Sequence, residues 1–237
     1  MLDIIIPVYN EGENISATLD EINRKIKTEN RLFIVYDFNE DNTLPAVKNY
    51  INEKKKENIL LLKNDYGKGV LNAIKKGFDR AEHEMILVVM GDLSDDLCVV
   101  DDMYKKMQEG YDIVCGSRYM KGGKQIGGPL FKKSLSRMAG LSLHILTGIP
   151  THDISNSFKM YRKDIIKNTH IESTGGFEIG LEILVKAYLK GYKITEVPSI
   201  WKDRAAGKSN FKLWTWLPKY IRWYLLAIKG RFTGYTC

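Results

Sequence analysis

The chain has 237 residues, 44% hydrophobic and 27% charged, with 36 Lys and Arg against 29 Asp and Glu for a formal charge of +7. That balance argues against disorder and suffices for one sizeable core or two small ones. Its three cysteines, Cys98, Cys115 and Cys237, are odd in number, far apart and without CxxC spacing, which argues against a disulfide framework or a thiolate zinc site and fits a reducing cytosol.

Short apolar runs and helical patterns alternate through the first half. DIIIPVY (3–9), RLFIVYDF (31–38), NILLLKN (58–64), EMILVVM (84–90) and YDIVCGS (111–117) read as strands. Their apolar residues run on rather than alternate, as in strands covered on both faces of a parallel sheet. Ile15, Leu19, Ile22 and Ile26 recur at helical spacing after the first strand, and Val70, Ile74 and Phe78 do so after the YGKG turn. The second half continues with a helix over 131–147, a loop GIPTHDISNSF, a helix over 177–190 and a strand KITEVPSIW. A repeated β-α unit predicts an α/β domain with a mostly parallel sheet flanked by helices. No secretion signal is read at MLDIIIPVYN, and no run of 18 or more apolar residues is long enough to cross a membrane. The economical division is one domain over 1–212 and an appendage over 213–237, where Trp214, Trp216, Trp223 and Tyr224 are interleaved with Lys212, Lys219, Arg222, Lys229 and Arg231. Such a helix suits a membrane interface, and an aromatic stripe packed on the core is the competing reading.

In open α/β sheets ligands bind beyond the carboxyl ends of the strands. Here those ends carry Pro7 to Glu11, Asp37 to Asp41, Asp92 to Asp96 and Gly116 to Arg118. Asp95 and Asp96 are expected to start the next helix, where carboxylates suit the N-terminus. Asp92 directly follows the buried run VVMGD, and its crowding with like charge calls for a hard cation such as Mg²⁺ or Mn²⁺ carrying substrate phosphates. The cations, densest over 121–133 and 202–231, fit nucleic acid, anionic lipid or a phosphorylated substrate equally on composition alone.

Seven strings in order, IIIPVYNEGENI, IVYDFNEDNT, NDYGKGVLNAIKKGF, VVMGDLSDD, DIVCGSRYMKGG, HDISNSFKMYR and GYKITEVPSIWKDRAAGKSNF, resemble the family 2 glycosyltransferases, nearest to the dolichol-phosphate mannose and glucose synthases. The resemblance spans roughly residues 1 to 212 and implies a GT-A fold. It assigns Pro7, Tyr9, Glu11 and Asp37 to the base and ribose of a nucleotide-sugar donor, and Asp92 to a metal-bound diphosphate. Arg118, Lys132 and Arg204 match the basic positions around the diphosphate and the acceptor phosphate. The sequence departs from the pattern at Met90, where the first Asp of Asp-x-Asp is expected, at Tyr36, and at Asn210, which replaces a Lys for which Lys208 would substitute. Ser157 likewise replaces a glycine.

The resemblance implies an inverting transfer of a hexose from GDP-mannose or UDP-glucose to a polyprenyl or dolichyl phosphate. A lipid phosphate is already ionised near neutral pH and needs no general base. The implied setting is the cytoplasmic face of a membrane, with a lipid surface and a membrane protein as partners. The alternatives are transfer to a saccharide hydroxyl and a non-catalytic nucleotide-sugar-binding protein. Nucleic acid is disfavoured because the strand tips are acidic where phosphates would dock.

Overall fold

The structure is a computed structural model that describes residues 1–204 and 213–233. Strands β1 (Leu2–Pro7), β2 (Asn30–Tyr36), β3 (Ile59–Lys63), β4 (Met85–Val88) and β5 (Ile113–Ser117) fall where the apolar runs predict them. Helices α1 (Ile15–Lys25), α2 (Thr43–Lys54), α3 (Val70–Arg80) and α4 (Val100–Gln108) connect them. Beyond β5 come β6 (Lys124–Ile126), α5 (Leu130–Thr147), β7 (Lys159–Arg162), α6 (Lys163–Lys167), α7 (Ile179–Leu189), β8 (Ile194–Pro198), β9 (Ile200–Lys202) and α8 (Leu213–Thr233).

The main sheet has the order β3-β2-β1-β4-β7-β5-β8. Every pairing in it is parallel except those of β7, which runs antiparallel between β4 and β5. A separate parallel pair, β6 and β9, lies outside it. The alternation of side chains along β1 divides the interior in two. Leu2, Ile4 and Ile6 join Ile15, Leu19, Ile22, Val47, Val100 and Met103 under α1, α2 and α4. Ile5 points the other way, into a core with Ile74, Phe78, Leu143, Ile183 and Trp223 from α3, α5, α7 and α8. Both faces of the sheet are thus covered, which is why its strands read as unbroken apolar runs.

Several elements go beyond the sequence reading, among them α2, β6, β7 and α6. Helix α2 buries Leu44, Val47 and Tyr50 at threes along a segment that otherwise reads as polar. Strand β7 is four residues long and lies in the motif SFKMYR, too short for periodicity to reveal. Its register, Met85 to Arg162 and Ile113 to Tyr161, joins the strands that carry Asp92 and Arg118 to one rigid frame. On the opposite side of that frame, α5 crosses the loop before β7 at Gly140, where a Cβ atom would lie 2.1 Å from the carbonyl oxygen of His152.

Candidate active site

The carboxyl ends of β1, β2 and β4 converge, and the loops that leave them are stitched together before any functional side chain is placed. Both oxygens of the buried Asp41 carboxylate accept the Asn10 N–H, at 3.2 and 3.1 Å, and one also accepts the Thr43 N–H at 2.8 Å. The Glu11 N–H donates to Thr43 Oγ1 at 2.9 Å, and the Gly12 N–H to Asn42 Oδ1 at 2.9 Å. Asn10 completes the turn with φ of 55°, a left-handed conformation that Asn tolerates better than most residues. The start of α2 therefore clamps the loop after β1.

This clamp presents Tyr9, Glu11 and Asp37 around the tip. Pro7 ends β1 opposite Val35 and is buried. Tyr9 is exposed and meets Phe38 edge to face, with ring centroids 5.5 Å apart, while the Lys68 ammonium lies 5.7 Å over the same Phe38 ring. Asp37 accepts from Asn64 Nδ2 and from the Gly69 N–H, each at 2.8 Å. That second bond holds the YGKG turn against the strand tip, and Gly69 adopts φ of 115°, which L side chains rarely take.

Glu11, Asp92 and Arg204 meet at the centre. Arg204 Nη2 lies 2.9 Å from Asp92 Oδ2, and Nη1 lies 3.7 Å from Glu11 Oε1. The Asp92 side chain is 8% exposed and also accepts the Ser94 N–H at 3.2 Å. Burial pushes the Glu11 carboxyl above its ordinary range. Asn14 Nδ2, donating at 2.8 Å, opposes that rise, the Asp92 charge adds to it and Arg204 counters it. Two carboxylates from separate strand ends, Glu11 and Asp92, are thus bridged by a guanidinium from far along the chain, Arg204.

Of the two neighbouring carboxylates, Asp96 follows the sequence expectation and Asp95 departs from it. Asp96 does start a helical turn, accepting from the Cys98 N–H at 3.2 Å, and it also holds the Ile200 N–H of β9 at 3.0 Å. Asp95 does not: it folds back to accept the Met90 N–H at 2.8 Å. The residue keeps some surface, but its carboxyl is desolvated, and burial pushes its pKa up to about 7 against the help of the Met90 bond. The physical reason is that the turn after Gly91 needs an acceptor for an inward-facing amide, and Asp95 supplies it.

Arg118 is turned inward. Its Nε donates to Asp153 Oδ2 at 2.6 Å, its Nη2 to Asp153 Oδ1 at 2.8 Å and to Ser155 Oγ at 2.9 Å, and its backbone N–H also reaches Asp153. Burial alone would lower the guanidinium pKa, but the Asp153 carboxylate more than offsets it, and the same pair holds Asp153 below its usual range against the rise that burial causes. The fork that phosphate recognition would use is engaged with a carboxylate instead. Lys132 lies half-buried in the first turn of α5, a segment tied to β6 by Lys133 Nζ donating to the Gln125 carbonyl at 3.1 Å. Lys208 lies outside the described residues, as does Asn210. His152, read as a hydrogen-bonded loop histidine, has Nδ1 2.5 Å from Glu196 Oε1.

Sequence reasoning passed over Asp41 as an organiser and Asp95 as a buried acid. The first had a signal, an Asp two residues before Thr43 at a helix start, and the second had none, because its partner is a backbone amide.

A mostly parallel sheet with helices on both faces and an acidic, cation-bridged centre at its strand tips defines an α/β domain of the GT-A kind. The profile of glycosyl transferase family 2 matches residues 3–169, and the chain belongs to that family. The dolichol-phosphate mannosyltransferase of Pyrococcus furiosus is 30% identical over 216 residues, covering 89% of this chain. This chain spans 59% of the length of that relative. The polyprenol monophosphomannose synthase of Mycolicibacterium smegmatis is 23% identical, with 87% of this chain and 79% of that protein covered. Among solved structures, glucosyl-3-phosphoglycerate synthase from Mycobacterium tuberculosis, in complex with Mn²⁺, UDP and glucosyl-3-phosphoglycerate, superposes with a TM-score of 0.69 at 12% identity, over 98% of this chain and 79% of that one. That likeness is one of fold.

Proposed function

We propose that this chain is an inverting glycosyltransferase that moves a hexose from a nucleotide diphosphate sugar, GDP-mannose or UDP-glucose, to a polyprenyl phosphate at the cytoplasmic face of a membrane. The observation that carries the reading is the Glu11–Arg204–Asp92 bridge at the strand tips. It sits beside Asp37 and the exposed ring of Tyr9, and the two relatives are named for transfer to lipid phosphates.

In this reading Tyr9 and Asp37 receive the base and ribose, because an exposed ring stacks and a carboxylate accepts from hydroxyls. Arg204, already held between two carboxylates, moves its guanidinium to the donor diphosphate, where its planar fork matches phosphate oxygens. Arg118, neutralised by its bidentate pair with Asp153, fixes the wall of the site rather than adding net charge to it, and Lys132 and Lys208 receive the acceptor phosphate. The lipid phosphate oxygen attacks the anomeric carbon in line, the bond to the nucleoside diphosphate breaks on the opposite face, and the configuration inverts. No general base is needed. Glu11 and Asp95, whose carboxyls are raised, are engaged by Asn14 and by the Met90 amide rather than presented to an acceptor hydroxyl.

Asp92 is the residue that would hold a divalent cation. Among the described residues no three His, Cys, Asp or Glu side chains group as metal ligands. One carboxylate nonetheless fits Mg²⁺ or Mn²⁺, which take one or two carboxylates and complete their shell with water and substrate phosphates. Such an ion would neutralise charge on the departing diphosphate.

The test is transfer of labelled hexose from each donor into organic-extractable polyprenyl phosphate, with Mg²⁺, Mn²⁺ or EDTA. Metal-dependent product of inverted configuration is expected, falling about a hundredfold or more in Asp92→Ala. Retained configuration, or full activity in Asp92→Ala, would refute the reading.

A further inference from the structure

Two lysines are buried among the described residues, and they are held differently. Lys186 is paired with Glu172 and Glu182, at 2.8 and 2.7 Å. Lys159, which is 0% exposed, makes no ion pair among the described residues. Its Nζ donates only to backbone carbonyls, those of Ile154 at 3.3 Å and of Asn156. Burial lowers its pKa, Cys115 and Asp153 oppose the fall, and Arg118 adds to it. An ammonium without a carboxylate partner is costly inside a protein, so stability alone is a poor reason for it to stand in the middle of a strand.

Its place in the sheet supplies another reason. The register sets Lys159 of β7 opposite Cys115 of β5, just before the strand tip that carries Gly116 and Arg118. The two carbonyls that it holds belong to the loop before β7, and that loop braces the same tip. Asp153 grips Arg118, Asn156 Nδ2 donates to the Gly116 carbonyl at 2.8 Å, and the Asn156 N–H returns to Asp153 Oδ1 at 3.2 Å. The packing leaves little slack: a Cβ atom at Gly116 would lie 2.4 Å from the Phe158 ring, and one at Gly180 of α7 would lie 3.8 Å from the Lys159 ammonium. A loop held this closely passes a displacement of its carbonyls on to Asp153 and so to Arg118.

The charges point the same way. Asp153 is matched by Arg118, and the Cys115 thiol, pushed up by burial to about 12, stays neutral. Glu196, the next carboxylate along this wall, is taken by Thr151 and by His152, through its N–H and its ring. Arg118, Asp153 and Lys159 together therefore carry one positive charge, in a desolvated place where salt screens it little.

We propose that Lys159 is a positioning residue for the acceptor phosphate: its buried ammonium fixes the loop that aims Asp153 at Arg118 and leaves that wall of the site with one positive charge. The inference rests on the lipid-phosphate reading above and deepens it, since a phosphate dianion is the ligand that such a wall favours.

The experiment is calorimetric titration of the purified full chain with farnesyl phosphate, a short prenyl phosphate, and separately with UDP and GDP, beside a thermal melt of each protein. Lys159→Met is expected to weaken farnesyl phosphate at least about tenfold while leaving nucleotide affinity unchanged. Lys159→Gln, which keeps N–H donors but no charge, should show the same loss, and Lys159→Arg should recover most of it. In transfer assays the KM for the prenyl phosphate should rise by a larger factor than kcat falls. Farnesyl phosphate affinity that survives in Lys159→Met and Lys159→Gln, with only the melting temperature reduced, would assign Lys159 to the fold and overturn the proposal. Equal loss of nucleotide binding would overturn it as well. A parent chain that binds nucleotide but no farnesyl phosphate would refute the lipid-phosphate reading and this inference with it, whereas binding that is the same in parent and variants would refute the inference alone.

Discussion

At Arg118 the side chain that the family resemblance assigns to phosphate is spent on holding Asp153, and the consequence is first a matter of stability. Both groups are desolvated, with side chains 10% and 0% exposed, so neither can be left alone. Asp153→Ala is expected to cost about 3 to 5 kcal/mol, whereas Arg118→Met/Asp153→Leu, which removes both charges, should recover most of it. Urea titration of the three proteins checks this. Asp95 makes a prediction of opposite character. Its folded pKa, pushed by burial up to about 7 from an ordinary 3.8, means that the folded state holds the proton more tightly than the unfolded one. Between those values stability therefore falls as pH rises, and the contribution is most favourable below about pH 4. Between pH 5 and pH 8 the wild-type protein should lose more stability than Asp95→Asn, read from denaturation midpoints; parallel pH profiles would contradict it.

Among elements, α2 does the most for the site while touching none of its chemistry. Its first residues capture the loop after β1 through Asp41, Asn42 and Thr43, and the orientation of Tyr9 and Glu11 follows from that capture. Asp41→Ala leaves the buried Thr43 amide and the part-buried Asn10 amide without their acceptor and should cost about 1 to 3 kcal/mol. Nucleotide affinity should fall with it, because the loop must then be ordered by the ligand. Calorimetric titration with UDP and GDP beside a guanidinium melt separates the two effects. Strand β7 has a comparable role on the other side, since its antiparallel insertion sets the distance between β4 and β5 and so between Asp92 and Arg118.

Over the whole molecule, the C-terminal helix is both a wall of the core and a surface. Trp223 is 2% exposed and stacks under the cations of Lys186 and Arg222, while Trp216 rests on Phe177 with ring centroids 5.3 Å apart. The core-packed reading of the appendage thus holds for one face of the helix, while Ile221, Leu225 and Phe232 stay exposed on it. Trp223→Ala should cost about 3 to 5 kcal/mol, and a chain ending at residue 212 should melt earlier and bind a hydrophobic dye where α7 is uncovered. A truncated chain as stable as the parent would show that α8 is an independent appendage.

Much of this was legible in the chain itself. Unbroken apolar runs announce a sheet covered on both faces, because a strand buried on two sides has no position left for a polar residue. The strand ends announce the site edge for the same reason: chemistry has to begin where burial stops, at Glu11, Asp37 and Asp92. Other features had no local signature. Residues 7, 37, 92, 118 and 204 reveal their types but not which of them pair, and pairing sent Arg204 to Asp92 and Arg118 to Asp153. Asp95 reads as a helix-starting acid until the Met90 amide claims it. By itself the sequence determined the α/β class, the strands that read as unbroken apolar runs and the family, because these depend on the pattern along one segment at a time. Only the tertiary structure decided which charges neutralise one another and which apolar stripes are left uncovered, because both depend on what distant segments bring within a few ångströms.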